Sequence, residues 1–303
     1  MPIALLALLT GCIKESYDDC EWYTLTFSYT ADGASDVFAQ HITDVSLYVY
    51  DADDRLVQTK RISHSDLKAF QGTKLNVAHG VYRVVGVGNA FSRTEVKEYN
   101  ANDMSLNHFS HPNAENGGAI DGNDSLYLGS KIITLPEQKR VTEDIAFRSS
   151  HLKVSYEVIV ERDDQSTASA SMRAAEALFA LNVKNLTPLT DFNNATFGDP
   201  ATYTPTLTRA EQGDNHSAYF NIMRHGKQND VVFELRDVAS NTVVNTLQLE
   251  DFLAQYPQID VTKQEVLIPI EVRLKYKGHI CTDVTVTIPD WLVHDVTPGF
   301  GNN

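Results

Sequence analysis

The chain has 303 residues, enough for about two domains, and its 42% apolar and 21% charged residues are the make-up of a packed globular protein. Its formal charge of −15, unrelieved by any Lys/Arg cluster, repels phosphate backbones and anionic lipid alike. Nucleic acid is excluded as a partner, and any membrane attachment must be hydrophobic.

The first residues offer such an attachment. Met1 to Leu9 form an apolar run too short to span a bilayer, which needs about 20 residues. It ends in the small residues Thr10 and Gly11, the pattern of a signal peptide's cleavage region. Leu9-Thr10-Gly11-Cys12 resembles a bacterial lipobox, in which residues 1–11 are removed and the Cys12 thiol receives a diacylglyceryl group. Two or more acyl chains hold a protein durably, each buried methylene contributing about 0.8 kcal/mol. Residues 1–11 contain no Lys or Arg, so the expected basic n-region is missing and the true start is expected further upstream. Residues 12–21 are polar and acidic, which suits a tether. With Cys12 lipidated, Cys20 and Cys281 remain; they form either a disulfide or two free thiols, and spacing does not choose between them.

Period-two alternation then dominates. Tyr23, Leu25, Phe27 and Tyr29 face one way, and Val45, Leu47 and Val49 repeat the pattern before a turn at Asp51 to Asp54. Ser63 to Phe70 reads as a helical turn or two, with Ser63 and Asp66 placed as a cap. A strand follows from Gly80 to Asn89. Residues 91–124, rich in Asn, Asp, Ser and Gly, read as a long loop or inserted subdomain outside the core. Strands return at Ser125 to Leu128, Ile132 to Leu135 and Asp144 to Phe147. A second series begins at Leu152, Val154, Tyr156, Val158 and Val160, after a boundary placed near residue 150. It continues through Leu178 to Val183, Tyr219 to Met223, Val231 to Leu235 and Val243 to Leu249, then a helix-like turn at Asp251 to Tyr256. The longest alternation is Val266, Ile268, Ile270, Val272, Leu274 and Tyr276, where Pro269 argues for an edge or a bulge. Val284, Val286 and Ile288 form the last strand. Many short strands without a long amphipathic helix predict an all-β fold, with sandwiches over residues 22–150 and 151–303.

The ordered set of motifs resembles the fimbrillin-anchor lipoproteins of Bacteroidales type V fimbriae. The lipobox at Cys12 and Asp18-Asp19-Cys20 come first, then the aromatic strand Trp22 to Phe27 and Leu47-Tyr48-Val49-Tyr50-Asp51. Gly80-Val81-Tyr82 runs to Gly88-Asn89, and Val284 to Trp291 closes the series. The family's usual tryptophan before Gly88-Asn89 is replaced by Val87, and the middle of the second half has no match. The resemblance implies two transthyretin-like β-sandwich domains in tandem, surface exposure and an outer-membrane lipid anchor at the base of a pilus. It also implies pilin subunits as partners, joined by exchange of β-strands, which is a form of β-augmentation. The strands containing Val266, Ile268, Val284, Val286 and Ile288 are expected beside the joining site, being the most apolar and far along the chain from the tether.

Catalytic patterns are poor. Ser65 to Lys68 and Ser150 to Lys153 match Ser-x-x-Lys without its companion motifs, and no Walker loop or His-Glu-x-x-His occurs. No enzyme activity, cofactor or metal is expected, the covalent lipid apart. His79, His108, His111 and His151 are read as solvated loop residues, and Asp51, Asp53 and Asp54 as turn formers rather than a calcium loop. Asp124-Ser125-Leu126 matches the tripeptide that carries O-glycans in Bacteroidales, with Ser125 as acceptor. Two rival readings are a surface glycan-binding lipoprotein, which needs an exposed aromatic platform, and an adhesive tip subunit.

Overall fold

The structure, a computed structural model, describes residues 23–97, 107–137, 139–163, 177–278 and 280–290. Cys12, Cys20, the tether, Trp22 and Trp291 lie outside these residues. Strands predominate, with three short helices among the described residues. In order it forms β1 (Tyr23–Ser28), α1 (Phe38–His41), β2 (Val45–Tyr50), β3 (Leu56–Ile62), α2 (His64–Ala69) and β4 (Gly72–Leu75). Next come β5 (Gly80–Gly88), β6 (Glu95–Lys97), β7 (His108–Ser110), β8 (Tyr127–Leu135) and β9 (Val141–Ser149). The second half holds β10 (His151–Arg162), β11 (Phe179–Leu186), β12 (Leu189–Asp191), β13 (Thr196–Phe197), β14 (Ala201–Tyr203) and β15 (Thr208–Arg209). It ends with β16 (His216–Met223), β17 (Val232–Asp237), β18 (Thr242–Gln248), α3 (Leu249–Gln255), β19 (Leu267–Lys277) and β20 (Ile280–Thr287).

The first half is a seven-stranded sheet, β3-β2-β5-β8-β9-β1-β4. Alternation decides its two faces. Tyr23, Leu25 and Phe27 of β1 point inward while Thr24, Thr26 and Ser28 point outward. The core gathers Val45, Leu47 and Val49 with Ile145, Phe147 and Phe38. Phe147 lies where β5 and β8 bring three glycines: a Cβ on Gly86 would sit 2.7 Å from its ring, and one on Gly129 3.1 Å. Only glycine lets the ring lie against those strands. The predicted cap is present, since Ser63 and Asp66 form a reciprocal capping box on α2.

In the second half a five-stranded sheet, β15-β16-β10-β19-β20, faces a four-stranded one, β14-β11-β17-β18. Tyr156 stacks on Phe233 at 5.9 Å and Phe179 meets His216 at 5.2 Å, which sets β10 over β17 and β16 over β11. Between them lies an apolar core built on Val154, Val158, Ile268, Ile270, Val272 and Leu274. β9 passes into β10 through Ser150 alone, and Ser149, Ser150 and His151 are all buried.

Residues 91–124 depart from the sequence expectation. β6 and β7 join β12 and β13 in a fourth sheet, β13-β12-β7-β6, made from both halves of the chain. Phe109 and Phe192 cover Tyr48, Tyr50, Val85, Val87 and Leu128, the outer face of the seven-stranded sheet. His108 and His111 are therefore buried, at 4% and 8% exposure, and His151 at 1%; only His79 is solvated as expected. Strands of two or three residues are too short to give a periodic signal, and of their pairings in this sheet only β7–β12 crosses between the halves. Among the described residues no helix is long and apolar enough to cross a membrane.

Candidate functional site

β19 and β20 form the far side of the five-stranded sheet. β19 is not an edge: it pairs in parallel with β10 from Leu267 to Tyr276 and antiparallel with β20 from Glu271 onward. Pro269 nevertheless sits in an edge-like stretch, because β20 stops opposite Glu271 and leaves residues 267–270 with β10 alone. A missing N–H costs nothing on a side with no partner. The five predicted positions separate accordingly. Ile268 and Ile288 are buried and serve the core, Val266 and Val286 are half-buried against it, and Val284 is 36% exposed.

Among the described residues β20 ends the five-stranded sheet and pairs with β19 alone. The five-stranded sheet has one strand more than the four-stranded sheet it faces, and Tyr256, just after α3, donates to Thr287 Oγ1 of β20 at 3.3 Å. Val284 lies opposite the core residue Leu274 and Val286 opposite Val272, so both point to the inner side. Ile280, at 70% exposure, begins the strand. A register shift between Lys275 and Tyr276 bends the pair near that end. On the outer face Arg273 reaches Glu271 at 2.7 Å and Asp290 at 3.8 Å, a polar skin over the same strands. The Cys281 thiol is free and half-buried, its pKa raised by burial; Cys20 lies outside the described residues.

A second opening lies where the seven-stranded sheet fails to close. β3 and β4 are its two ends, and a groove of about 570 Å³ between them is lined by Ile62, Phe70 and Leu75. Lys60 spans it, donating to Thr73 Oγ1 at 2.6 Å. The seam is thus latched by a side chain rather than left bare.

The remaining predicted positions are structural in their surroundings. Asp124 accepts hydrogen bonds from the backbone N–H groups of Phe91 and Arg93 and from Thr94 Oγ1. Ser125 is half-buried, its hydroxyl accepting from Asn221 Nδ2 at 3.2 Å, so a glycan there has to displace that contact. Asp51 accepts from the N–H groups of Asp53 and Arg55 and pairs with the Arg55 guanidinium at 3.0 Å, the work of a turn. Among the described residues no group of three or more His, Cys, Asp or Glu could hold a metal. Asn89, at φ 59°, was not singled out by sequence reasoning beyond its place in Gly88-Asn89. Its side chain accepts from Thr43 N–H at 2.9 Å and donates to the carbonyls of His41 and Ser125.

A predominantly β body with a long strand at a sheet end and a net charge of −15 fits a protein of the interaction class. The chain belongs to the family of fimbrillin-A associated anchor proteins Mfa1 and Mfa2, whose model matches residues 17–297. That family is one of fimbrial anchors rather than of enzymes, and it associates the chain with fimbriae at the cell surface. Solved structures share the fold. A candidate adhesin from Bacteroides ovatus superposes with a TM-score of 0.70 at 16% identity, over 89% of this chain and 93% of that one. The fimbrial anchor protein Mfa2 from Porphyromonas gingivalis gives 0.61 at 12% identity, over 88% and 94%. A candidate polysaccharide-binding protein from Bacteroides thetaiotaomicron gives 0.65 at 12% identity, over 88% and 95%. No curated protein sequence matches.

Proposed function

We propose that this chain is the lipid-anchored base subunit of a fimbria. Cys12 carries the lipid, residues 12–21 are the tether, and two tandem transthyretin-like sandwiches stand off the outer membrane. Pilin joins the body by strand exchange, and an occupied base limits the polymer's length. Membership of the anchor family over residues 17–297 supports this reading, and the outer edge of β20, unpaired among the described residues, offers a physical means of attachment. A sheet edge offers main-chain hydrogen bonds for affinity, and the alternating pockets beneath it select side chains.

Deleting the gene tests the role directly. Fimbriae longer than normal or shed into the medium are the expected result; fimbriae of unchanged length and attachment reject it. Mass spectrometry of the native product tests the lipid, which should be found on Cys12 of a chain lacking residues 1–11. A bare Cys12 removes the mooring.

A further inference from the structure

The loop between α3 and β19 reaches from the second half of the chain into the first. Glu265 stands at its end, two residues before β19, with its side chain 19% exposed. Its Oε1 accepts hydrogen bonds from the hydroxyls of Tyr29 and Tyr127, the latter at 2.9 Å, and lies 3.4 Å from His41 Nδ1. Its Oε2 takes the Lys153 ammonium from β10. Three of these partners belong to the first half: Tyr29 just after β1, His41 on α1 and Tyr127 on β8. Both tyrosines are almost wholly buried, and their hydroxyls are pushed far above the usual range, by burial first and the Glu265 carboxylate next.

The neighbours of Glu265 add to the same junction. Gln264 donates its N–H to Asp32 at 2.6 Å, and its side-chain oxygen accepts from Ser149 N–H at 2.7 Å. Arg224, one residue beyond β16, gathers the carbonyls of Ser149, Val261, Lys263 and Gln264 at 2.6–3.2 Å. A guanidinium so engaged fixes the loop from behind while the carboxylate fixes it from in front.

We propose that the Glu265 node is an interdomain lock, which makes the two halves reorient and unfold as one body. The physical case is directional. On the outer face of the seven-stranded sheet the halves meet through the apolar patch of Phe109, Phe192 and Met223, which is not directional, and through the three-residue β7–β12 ladder; the Glu265 node is a further directional link, made on the core side at Tyr29 and Tyr127. A carboxylate satisfied by two phenols and an ammonium is directional, and removing it strands buried donors. The inference stands apart from the fimbrial reading, since it concerns only how this chain holds itself.

Calorimetry and small-angle X-ray scattering on the exported body test it. Wild type is expected to unfold in one transition, and Glu265→Gln to unfold in two with a larger radius of gyration at low denaturant. Glu234→Gln serves as the control, because Glu234 pairs with Lys184 and Arg236 inside one sheet of the second half. It should move a transition without splitting it. Should Glu265→Gln fail to fold, Tyr29→Phe and Tyr127→Phe each remove one donor oxygen and should lose more together than the sum of their separate effects. Two resolved transitions in wild type, or one transition with unchanged scattering in every folded node variant, overturn the lock.

Discussion

Gly86→Ala is the sharpest test of how the first half is packed. The added methyl would lie 2.7 Å from Phe147 Cζ, 3.3 Å from Cε1 and 3.5 Å from Val45 Cγ1. The ring cannot withdraw, because Phe27 meets it at 5.6 Å and Phe38 at 5.5 Å, both edge-on. Gly129 closes the third side. Overpacking of this kind costs about 1–3 kcal/mol, which for a chain of this class lowers the melting temperature by roughly 2–12 °C. Phe147→Ala alone costs about 3–5 kcal/mol through lost burial and the void it leaves. In that background the alanine methyl enters empty space, so Gly86→Ala should turn neutral or stabilising. Thermal unfolding followed by circular dichroism on the four proteins of the cycle gives the answer, with Phe147→Leu as a milder background. Equal losses in both backgrounds would refute the contact as the reason for glycine.

Other outcomes are as definite. Asn89→Ala removes three hydrogen bonds between separate segments and a residue suited to positive φ, and should lower stability by about 1–3 kcal/mol in urea unfolding; Asn89→Gly should recover only the backbone part. Burial holds His151 and His225 at a pKa of about 4, below the ordinary 6.5, so the unfolded chain binds protons that the folded one refuses. Stability is therefore complete above the ordinary histidine range and declines as pH falls from 6.5 toward 4; a denaturation midpoint flat across that window would contradict it. Val284→Lys, at a side chain already 36% exposed, should leave the melting temperature within a few degrees of wild type and weaken pilin binding in a pull-down assay. Undiminished binding would move the joining site elsewhere.

Much of the fold was legible because strands with one buried face announce themselves at period two. β1 and β10 are examples, and in β10 the buried set includes Leu152, Val154, Tyr156 and Val158; β19 alternates in sequence although Pro269 and Glu271 on its other face are buried as well. The cap on α2 was legible for another reason: Ser63 and Asp66 act across three residues, within the reach of local sequence. What escaped was non-local. β7 pairs with β12 in three residues only, a length too short for alternation to register. α1 contributes a single buried residue, Phe38, and so carries no helical stripe. The Glu265 node joins side chains 112 to 236 positions apart, and nothing beside Glu265 in the sequence marks it. Pro269 misled in part, because a strand can be interior along one stretch and an edge along another.

The location of the candidate edge follows from how the others are closed. A long unpaired strand is a liability unless it has a partner or a guard. Among the described residues β13 and β15 have two residues, and β6 and β14 three, too few to template an incoming strand. β3 and β4 confront each other across the seam that Lys60 latches. β18 shifts register against β17 and runs straight into α3, which occupies its end. β20 has eight residues, with Val284 and Val286 turned to the inner side, Val286 half-buried against the core and Val284 36% exposed. A partner strand laid along β20 would extend the hydrogen-bonded ladder and cover these two side chains at once. If pilin joins there, a single strand would meet both demands, an edge kept long enough to bind and polar enough on its outer face to resist aggregation.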